Sequence, residues 1–372
     1  MTWHYLQYVL GLARLGHDVY YIEHSGSWPY NPLEKSIVGH CAYNVDYLAR
    51  VMSRFGFAER WAYFSEVESR WFGLSDRQRK EIAGTADVMI NVSGALDRPE
   101  DYCDVPDLVY IDTDPVFAQL KLARNDPGFV RRVNTHDVHF TFGECVARTM
   151  PDTGHDWLPT RQPIVLSEWQ NAQKPREMYT TVMNWTSYNS ETWDGRTYGQ
   201  KDSEFLRFLD LPRRSDKAQF EIAGAPGTSH PTPIEMLRCK GWRLADPLSV
   251  CYDFDSYRSY IQCSKGEWSV AKNAYVQGRS GWFSERSACY LAAGRPVILQ
   301  DTGFSDVLPV GEGLIPFDTL EEAVAAVEQV QVDYPRHAAA AHSIAEAYFS
   351  SDTVLTSLLE RATACRAKRR RI

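Results

Sequence analysis

The sequence lacks three features that would place it in other classes of protein. Its eight cysteines are scattered, with no C-x-x-C pair and no regular spacing, so neither a disulfide framework nor a cysteine metal site is predicted. No run of about 18 or more apolar residues could span a bilayer, and no charged leader precedes an apolar run. An excess of positive charge is also missing, since the formal net charge is -8. We therefore expect a cytoplasmic protein that does not bind nucleic acid.

The C-terminus is the one strongly basic stretch of the chain. Its basic residues are Arg366, Lys368, Arg369, Arg370 and Arg371. Two readings stay open for this tail: contact with an acidic lipid surface, or a solvated and frayed terminus. Peripheral contact is thus the closest approach to a membrane that the sequence predicts.

The chain is long enough for two domains. Its 372 residues exceed what one hydrophobic core usually supports, and strands alternate with helices in the manner of parallel βαβ units. A proline-punctuated stretch, residues 151–175, separates two such series. We therefore predict an α/β protein with two Rossmann-like, doubly wound domains that face each other across a cleft. The domains cover residues 1–165 and 176–345, and residues 346–372 form a helix that returns to the first domain, followed by the basic tail.

The start of the first domain departs from this pattern. Apolar residues at helical spacing, from Leu6 to Ala13, place a helix first, and Gly16 ends it before a strand at residues 18–22. A doubly wound domain is expected to open with a central strand. We therefore expect the natural start to lie upstream of Met1, and a longer chain with that apolar strand to be more stable.

The same periodicities predict the remaining elements. In the first domain these are a helix at 76–83 and strands at 88–90, 108–111 and 138–142. In the second domain the predicted strands are 180–183, 220–223, 242–244, 268–271 and 296–299, and the predicted helices are 202–209, 233–239, 255–262 and 285–293. Two apolar stripes starting at Leu320 and Ala341 predict the last amphipathic helices, with their stripes in the core.

Residues 280–303 carry the strongest indication of chemistry. Ser284 is a good N-cap and Ser287 falls at the third helical position, so a helix begins here with free backbone N–H groups and a positive dipole end. Such a helix start favours phosphate. Arg286 lies in the first turn, where the dipole disfavours a cation, which predicts that its guanidinium faces a bound anion.

This stretch resembles the donor-binding segment of GT-B glycosyltransferases, close to the group-1 and CgeB-like families. The resemblance rests on the order LAAGRPV and then DTG, and it covers roughly residues 180–350. It implies that Ser284, Arg286 and Ser287 contact the diphosphate of a nucleotide-sugar donor. It further implies that the loop of Asp301, Thr302 and Gly303 lies near the donor sugar. The L-x-x-x-G-H-x-V pattern ending at Val19 is a weaker resemblance in the first domain.

One departure from the family bears on the ribose and on stereochemistry. Many retaining group-1 enzymes carry two glutamates eight positions apart, and Cys289 stands where the second would fall. Ribose binding is therefore assigned to another group, Glu285. Whether the reaction inverts or retains configuration is left open.

The first domain contains a D-x-D sequence, Asp112-Thr113-Asp114, at the end of an apolar strand. This is the metal-chelating motif of the other large glycosyltransferase fold, but D-x-D recurs at residues 253–255, and Pro115 indicates a simple turn. A third reading places Asp114 in the cleft as an acceptor-side carboxylate, because strand ends line the crevice in doubly wound sheets. We predict no metal and assign Asp114 to the acceptor side.

Two single residues have both a catalytic and an ordinary interpretation. His4 begins the first helix, where several GT-B families place a catalytic histidine, and a pKa near neutrality would suit a general base. The ordinary alternative is a partly exposed histidine without a role. Lys272 follows a predicted strand and is assigned to a phosphate oxygen, with a surface lysine as the alternative.

Other candidates favour structural roles. His136 and His139 flank Asp137, but no further ligand is in view, so no zinc site is predicted. Trp282 and Phe283 are predicted to pack under the loop, with base stacking as the alternative.

The combined expectation is an enzyme that transfers a sugar from a nucleoside diphosphate sugar to an unidentified acceptor, without a cofactor or a metal. The charge that develops on the leaving diphosphate would be stabilised by the helix start. Two alternatives remain: a sugar-nucleotide epimerase on the same fold, and a non-catalytic protein that binds nucleotide sugars.

Overall fold

A computed structural model of the chain describes residues 2–170, 174–225 and 231–369. The first half contains six α-helices: α1 (Thr2–Arg14), α2 (Ala42–Arg54), α3 (Asp76–Ala83), α4 (Phe117–Ala123), α5 (Pro127–Asn134) and α6 (Val146–Thr149). Its strands are β1 (Tyr21–Glu23), β2 (Tyr30–Asn31), β3 (Ser36–Ile37), β4 (Trp61–Ser65), β5 (Arg70–Gly73), β6 (Met89–Val92), β7 (Leu108–Asp112), β8 (Val138–Thr141) and β9 (Trp157–Pro159).

The strands of the first half form two main sheets and one short hairpin. Strands β6 to β9 form a parallel sheet in chain order, and β1 pairs in parallel with β4, which pairs antiparallel with β5. Strands β2 and β3 form the hairpin. The division into two sheets differs from the single doubly wound sheet that the sequence predicts.

The second half continues the numbering. Its strands are β10 (Tyr179–Asn184), β11 (Glu191–Trp193), β12 (Arg196–Tyr198), β13 (Phe220–Ala225), β14 (Arg243–Ala245), β15 (Gly266–Ser269), β16 (Val297–Gln300) and β17 (Leu314–Phe317). Its helices are α7 (Lys201–Phe205), α8 (Leu211–Arg214), α9 (Ile234–Cys239), α10 (Pro247–Cys251), α11 (Phe254–Gln262), α12 (Asn273–Gln277), α13 (Glu285–Ala292), α14 (Leu320–Val332), α15 (Tyr334–Phe349) and α16 (Ser351–Arg369).

Six parallel strands organise the second half, in the order β14-β13-β10-β15-β16-β17. An aromatic core packs on this sheet, in which Phe205, Trp242 and Trp268 lie with ring centroids 4.9 to 5.7 Å apart. After β10 the chain adds β13 and β14 on one side and then β15, β16 and β17 on the other, so the sheet is doubly wound. The carboxyl ends of such strands line a crevice, and the loops after β10 and β15 therefore border the candidate site.

The last helix packs on the first half. Leu355 and Leu358 of α16 join the core formed by Val109 and Ile111 of β7. Gly11 makes the close approach of α1 and α16 possible, because a Cβ atom there would lie 2.5 Å from the Leu355 side chain. The domain boundaries predicted from the sequence remain predictions.

The mixed α/β architecture with parallel sheets is confirmed. The helix at residues 76–83 has the predicted bounds, and a capping box of Ser75 and Gln78 starts it. Within the described residues, no helix combines the length and the apolar character that a membrane span requires. Arg366 of the basic tail pairs with Asp107, and residues 370–372 lie outside the described residues.

Candidate active site between the two halves

Helix α13 begins where the sequence predicts. Ser284 is its N-cap, in an extended conformation, and the helix runs from Glu285 to Ala292. The Ser284 side chain makes no capping hydrogen bond, and the buried Ser287 hydroxyl has no hydrogen-bond partner within the described residues. The first-turn N–H groups of α13 therefore keep their capacity to bind an anion.

The expected orientation of Arg286 is wrong. All three guanidinium nitrogens bond inside the protein: Nε to Glu267, Nη1 to the Val182 carbonyl at 2.6 Å and Nη2 to Ser269 Oγ at 2.9 Å. Glu267, at the start of β15, is fully buried and needs a counter-charge. The arginine in the first turn of α13 is thus explained by this carboxylate, and its fork is not free for a ligand.

Lys201 is a candidate that the sequence reading missed. It is the first residue of α7, its side chain is only 8% exposed, and among the described residues it has neither a hydrogen bond nor an ion pair. Burial holds the pKa of its ammonium group well below the ordinary range, and the charges of Arg286 and Lys272 lower it further, against the opposing effect of Glu267. Nothing in the sequence distinguishes this lysine from a surface lysine at a helix start.

Lys201 therefore differs from the neighbouring Arg286, because no carboxylate bonds to it among the described residues. Arg286 uses the Glu267 carboxylate, while Lys201 has no partner in the described chain. A buried cation without a partner is costly unless the protein has a use for it. A ligand with two or more negative charges would relieve that cost.

Lys272 connects this region to the first half. Its ammonium group lies 2.9 Å from Asp114 Oδ1 and 2.6 Å from the Tyr188 hydroxyl. Tyr188 and Tyr275 also donate hydrogen bonds to Asp114. Three donors from the second half thus meet one carboxylate of the first half, and Lys272 is not a free surface lysine. We call these four residues the Asp114 clasp.

We predict that replacing Asp114 weakens the junction of the two halves. In Asp114→Asn the three donors lose their charged acceptor, and we expect unfolding in urea to require about 1 to 3 kcal/mol less free energy, a range that allows for the partial exposure of the carboxylate. Glu191→Gln is the matched control, because Glu191 pairs across the same junction with one charged side chain of the first half, Arg124. A loss no larger in Asp114→Asn than in the control would contradict the clasp.

The other carboxylate of the D-x-D sequence is structural. Asp112 is buried, and its oxygens accept from the Asp114 amide at 3.0 Å, Gln119 at 3.0 Å and Thr141 at 2.9 Å. Burial raises its pKa to about 6. In the described part of the chain, no three His, Cys, Asp or Glu side chains are grouped so as to hold a metal ion.

His136, just before β8, and His139, on β8, bond to backbone carbonyl groups, and His136 also bonds to Asn91. His136 pairs with Asn91 through Nε2 at 3.0 Å and with the Arg132 carbonyl through Nδ1, and His139 contacts the Val133 carbonyl. Burial lowers the pKa of both histidines to about 4. These contacts give both rings a structural role.

His4 lies at the start of α1 and contacts Ser93, the residue that follows β6. Its Nε2 is 3.1 Å from Ser93 Oγ, and Thr113 donates to the same oxygen at 2.8 Å. Ser93 has a φ of +64°, a strained conformation for a residue with a side chain. The expected pKa near neutrality is wrong, because burial lowers it to about 4. The ring is therefore neutral at pH 7.

The Asp301–Gly303 loop bonds to the loop that precedes α13. Asp301 accepts from the Gly303 amide at 2.9 Å and from Ser305 Oγ at 2.7 Å, and Thr302 donates to the Trp282 carbonyl at 2.6 Å. Gly303 has a φ of +92°, which favours glycine. The three residues thus shape the loop that leads into α13.

Glu285, Trp282 and Phe283, around the start of α13, all contact other parts of the second half. Glu285 is half-buried, its pKa is raised by burial, and it accepts a hydrogen bond from the Cys289 thiol at 3.0 Å. Trp282 lies against Tyr275 with ring centroids 4.3 Å apart, and Phe283 packs on Phe304. The packing role predicted for the two aromatic residues is confirmed.

Comparisons with known proteins place the fold. No protein-family model matches the sequence, and no curated protein sequence matches it. Among solved structures, Anabaena HepE in complex with UDP-glucose has a TM-score of 0.53 and 11% identity, over 93% of this chain and 99% of that one. HepE in complex with UDP gives 0.51 and 10%, over 94% and 100%.

A transferase is similar over less of its length. The pneumococcal O-GlcNAc transferase GtfA, in complex with UDP and GlcNAc, has a TM-score of 0.46 and 10% identity. The match covers 83% of this chain and 63% of GtfA. The HepE comparison therefore carries the conclusion: the chain has the GT-B fold of glycosyltransferases, with two α/β halves built on parallel sheets.

Proposed function

We propose that the protein is a glycosyltransferase that moves a sugar from a nucleoside diphosphate sugar to an acceptor. The observation that carries this proposal is Lys201, a buried cation without a partner in the described chain, near Lys272 and Arg286. A diphosphate would supply a counter-charge for Lys201. The GT-B fold and the HepE complexes with UDP and UDP-glucose support the choice of a nucleotide sugar.

The proposed diphosphate site has contributions of three kinds. Lys201 and Lys272 would contact phosphate oxygens directly, and the first turn of α13, with Ser284 and Ser287, would offer backbone N–H groups and hydroxyls. Arg286 would act through the electrostatic field of its guanidinium group and by keeping the Glu267 carboxylate in an ion pair. This revises the sequence-based assignment, in which Arg286 contacts the diphosphate directly together with Ser284 and Ser287.

The remaining assignments follow from position. Glu285, next to the helix start, would accept from the ribose hydroxyls, and the Asp301–Gly303 loop would border the donor sugar. His4 and Asp114 would lie on the acceptor side, because they belong to the first half. A neutral His4 can accept a proton only weakly, so its role would be to orient the acceptor through a hydrogen bond.

In the proposed reaction the site stabilises the leaving group, which is the nucleoside diphosphate. As the bond from the sugar to the diphosphate breaks, negative charge grows on the phosphate oxygens, and fixed cations and helix N–H groups stabilise that charge more than the ground state. Lysine ammonium groups can supply this charge without a metal ion. Metal independence is thus part of the proposal and needs its own test.

Calorimetric titration tests the proposal. We expect UDP to bind, uridine to bind at least about tenfold more weakly because it lacks the phosphates, and a strong chelator to leave UDP binding unchanged. Release of UDP from UDP-sugars in the presence of the chelator would extend the test to turnover. Equal affinity for UDP and uridine would contradict the site, and turnover restored only by magnesium or manganese would contradict metal independence.

The identity of the products separates the alternatives. A glycosyltransferase releases UDP and a glycosylated acceptor, or free sugar when water is the acceptor. An epimerase would change the sugar without needing an acceptor, and a binding protein would leave the donor intact.

A further inference from the structure

Strand β1 of the first half ends on a half-buried carboxylate, Glu23. The Tyr21 hydroxyl donates to its Oε2 at 2.8 Å. Tyr63 is its register partner on β4, and the Tyr5 ring of α1 lies 6.4 Å from the Tyr21 ring. One tyrosine thus bonds to the carboxylate, and two more lie close enough to feel its charge.

Glu23 has no cationic partner among the described residues. The described residues supply one donor to this carboxylate, the Tyr21 hydroxyl, whereas the buried Asp112 accepts from Gln119, Thr141 and the Asp114 amide. Burial raises the pKa of Glu23, and its charge contributes to the raised pKa values of Tyr5 and Tyr63, although burial is the main cause for both. The negative charge at this position is therefore uncompensated within the described chain.

The chemistry of this carboxylate favours a cation as its ligand. A neutral hydroxyl group could fill its remaining hydrogen-bonding capacity but would leave the charge in place. A protonated amine satisfies both requirements, and the faces of neighbouring tyrosine rings attract cations. Charge and surroundings thus select an ammonium group.

The position of Glu23 relates it to the candidate site. Glu23 is at the carboxyl end of β1, which pairs in parallel with β4, and its register partner Tyr63 lies in the middle of β4. The carboxyl ends of parallel strands are where open α/β sheets bind ligands. Tyr5 follows His4 directly on α1, and His4 contacts Ser93 at the end of β6. The three elements bring the carboxylate to the acceptor half of the cleft.

We propose that Glu23, with Tyr5, Tyr21 and Tyr63, binds a protonated amine on the acceptor. The proposal rests on the proposed function, because it names the chemical class of acceptor for the same cleft. It makes the first half selective for amine-bearing acceptors over neutral ones of the same size.

The test compares glucosamine with glucose at pH 7, as a cationic and a neutral probe of the same shape. Binding is measured by ligand-observed NMR with and without UDP, in the wild type, in Glu23→Gln and in Asp46→Asn. The last is the matched control, because Asp46 is an exposed carboxylate on α2 of the same half. UDP is titrated against each variant in parallel.

We expect the wild type and the control to prefer glucosamine by about tenfold or more, and Glu23→Gln to lose that preference while binding UDP as before. Equal binding of the two sugars by the wild type, absence of glucosamine binding, or a preference that survives in Glu23→Gln would overturn the proposal. A wild type that prefers glucosamine but does not bind UDP would contradict the proposed function and leave the amine site standing.

Discussion

In Lys201→Met we expect UDP binding to weaken by about tenfold to a hundredfold while the unliganded protein becomes more stable. The ammonium group is buried without a partner in the described chain, so its removal relieves a desolvation cost. Methionine has a similar length and fills the same space. We expect a gain of about 1 to 3 kcal/mol in the free energy of unfolding.

Opposite changes in affinity and stability distinguish a ligand-binding lysine from a structural one. Calorimetry gives the UDP affinity, and urea unfolding gives the stability. Lys217→Met is the matched control, because Lys217 is exposed in the same half, and we expect it to change neither quantity. A Lys201→Met protein that is less stable and binds UDP normally would assign Lys201 to the fold alone.

The second large effect concerns the Arg286–Glu267 pair. In Arg286→Ala the fully buried Glu267 loses its only ion-pair partner among the described residues, and we expect the free energy of unfolding to fall by about 3 to 5 kcal/mol. This differs from the sequence-based view of Arg286 as a ligand-facing fork, in which replacement would leave folding almost unchanged. Urea unfolding without ligand measures the difference.

A double variant separates loss of charge balance from loss of a ligand contact. Arg286→Met combined with Glu267→Gln removes both charges, and we expect it to recover most of the stability lost in Arg286→Ala. If Arg286→Ala is as stable as the wild type but binds UDP much more weakly, the guanidinium of Arg286 faces the ligand. That result would contradict the ion pair of Arg286 with Glu267.

Much of the second half could be predicted from periodicity. The α13 helix, its Ser284 N-cap and the strands β10, β13 and β16 follow from local patterns that the tertiary structure does not override. Strand β17 was not predicted. It carries Pro316 and follows the Gly311-Glu312-Gly313 turn, signals that count against a strand, yet it is an edge strand, where proline is tolerated.

The chemistry of the site depends on contacts between residues far apart in the sequence. Arg286 could be placed on the first turn of α13, but its direction is set by Glu267, which is 19 positions away. The partners of Asp114 lie 74 to 161 positions away. No local pattern reports such pairs, and for the same reason Lys201 could not be recognised as a buried lysine.

The histidine at the start of α1 illustrates the same limit in electrostatic terms. Its place at the start of α1 could be predicted from the helical periodicity, whereas the lowering of its pKa to about 4 depends on burial by neighbouring elements. Ser93, which contacts it, lies 89 positions later, directly after β6. Sequence position alone therefore predicts the helix on which His4 lies but not the protonation of its ring.

The most direct measurement of the central claim is an experimental structure of the protein with UDP. We expect the diphosphate to lie at the start of α13, with phosphate oxygens about 3 Å from the ammonium groups of Lys201 and Lys272. Arg286 is expected to keep its ion pair with Glu267. A diphosphate bound away from both lysines, or held by Arg286 after it has left Glu267, would contradict the central claim.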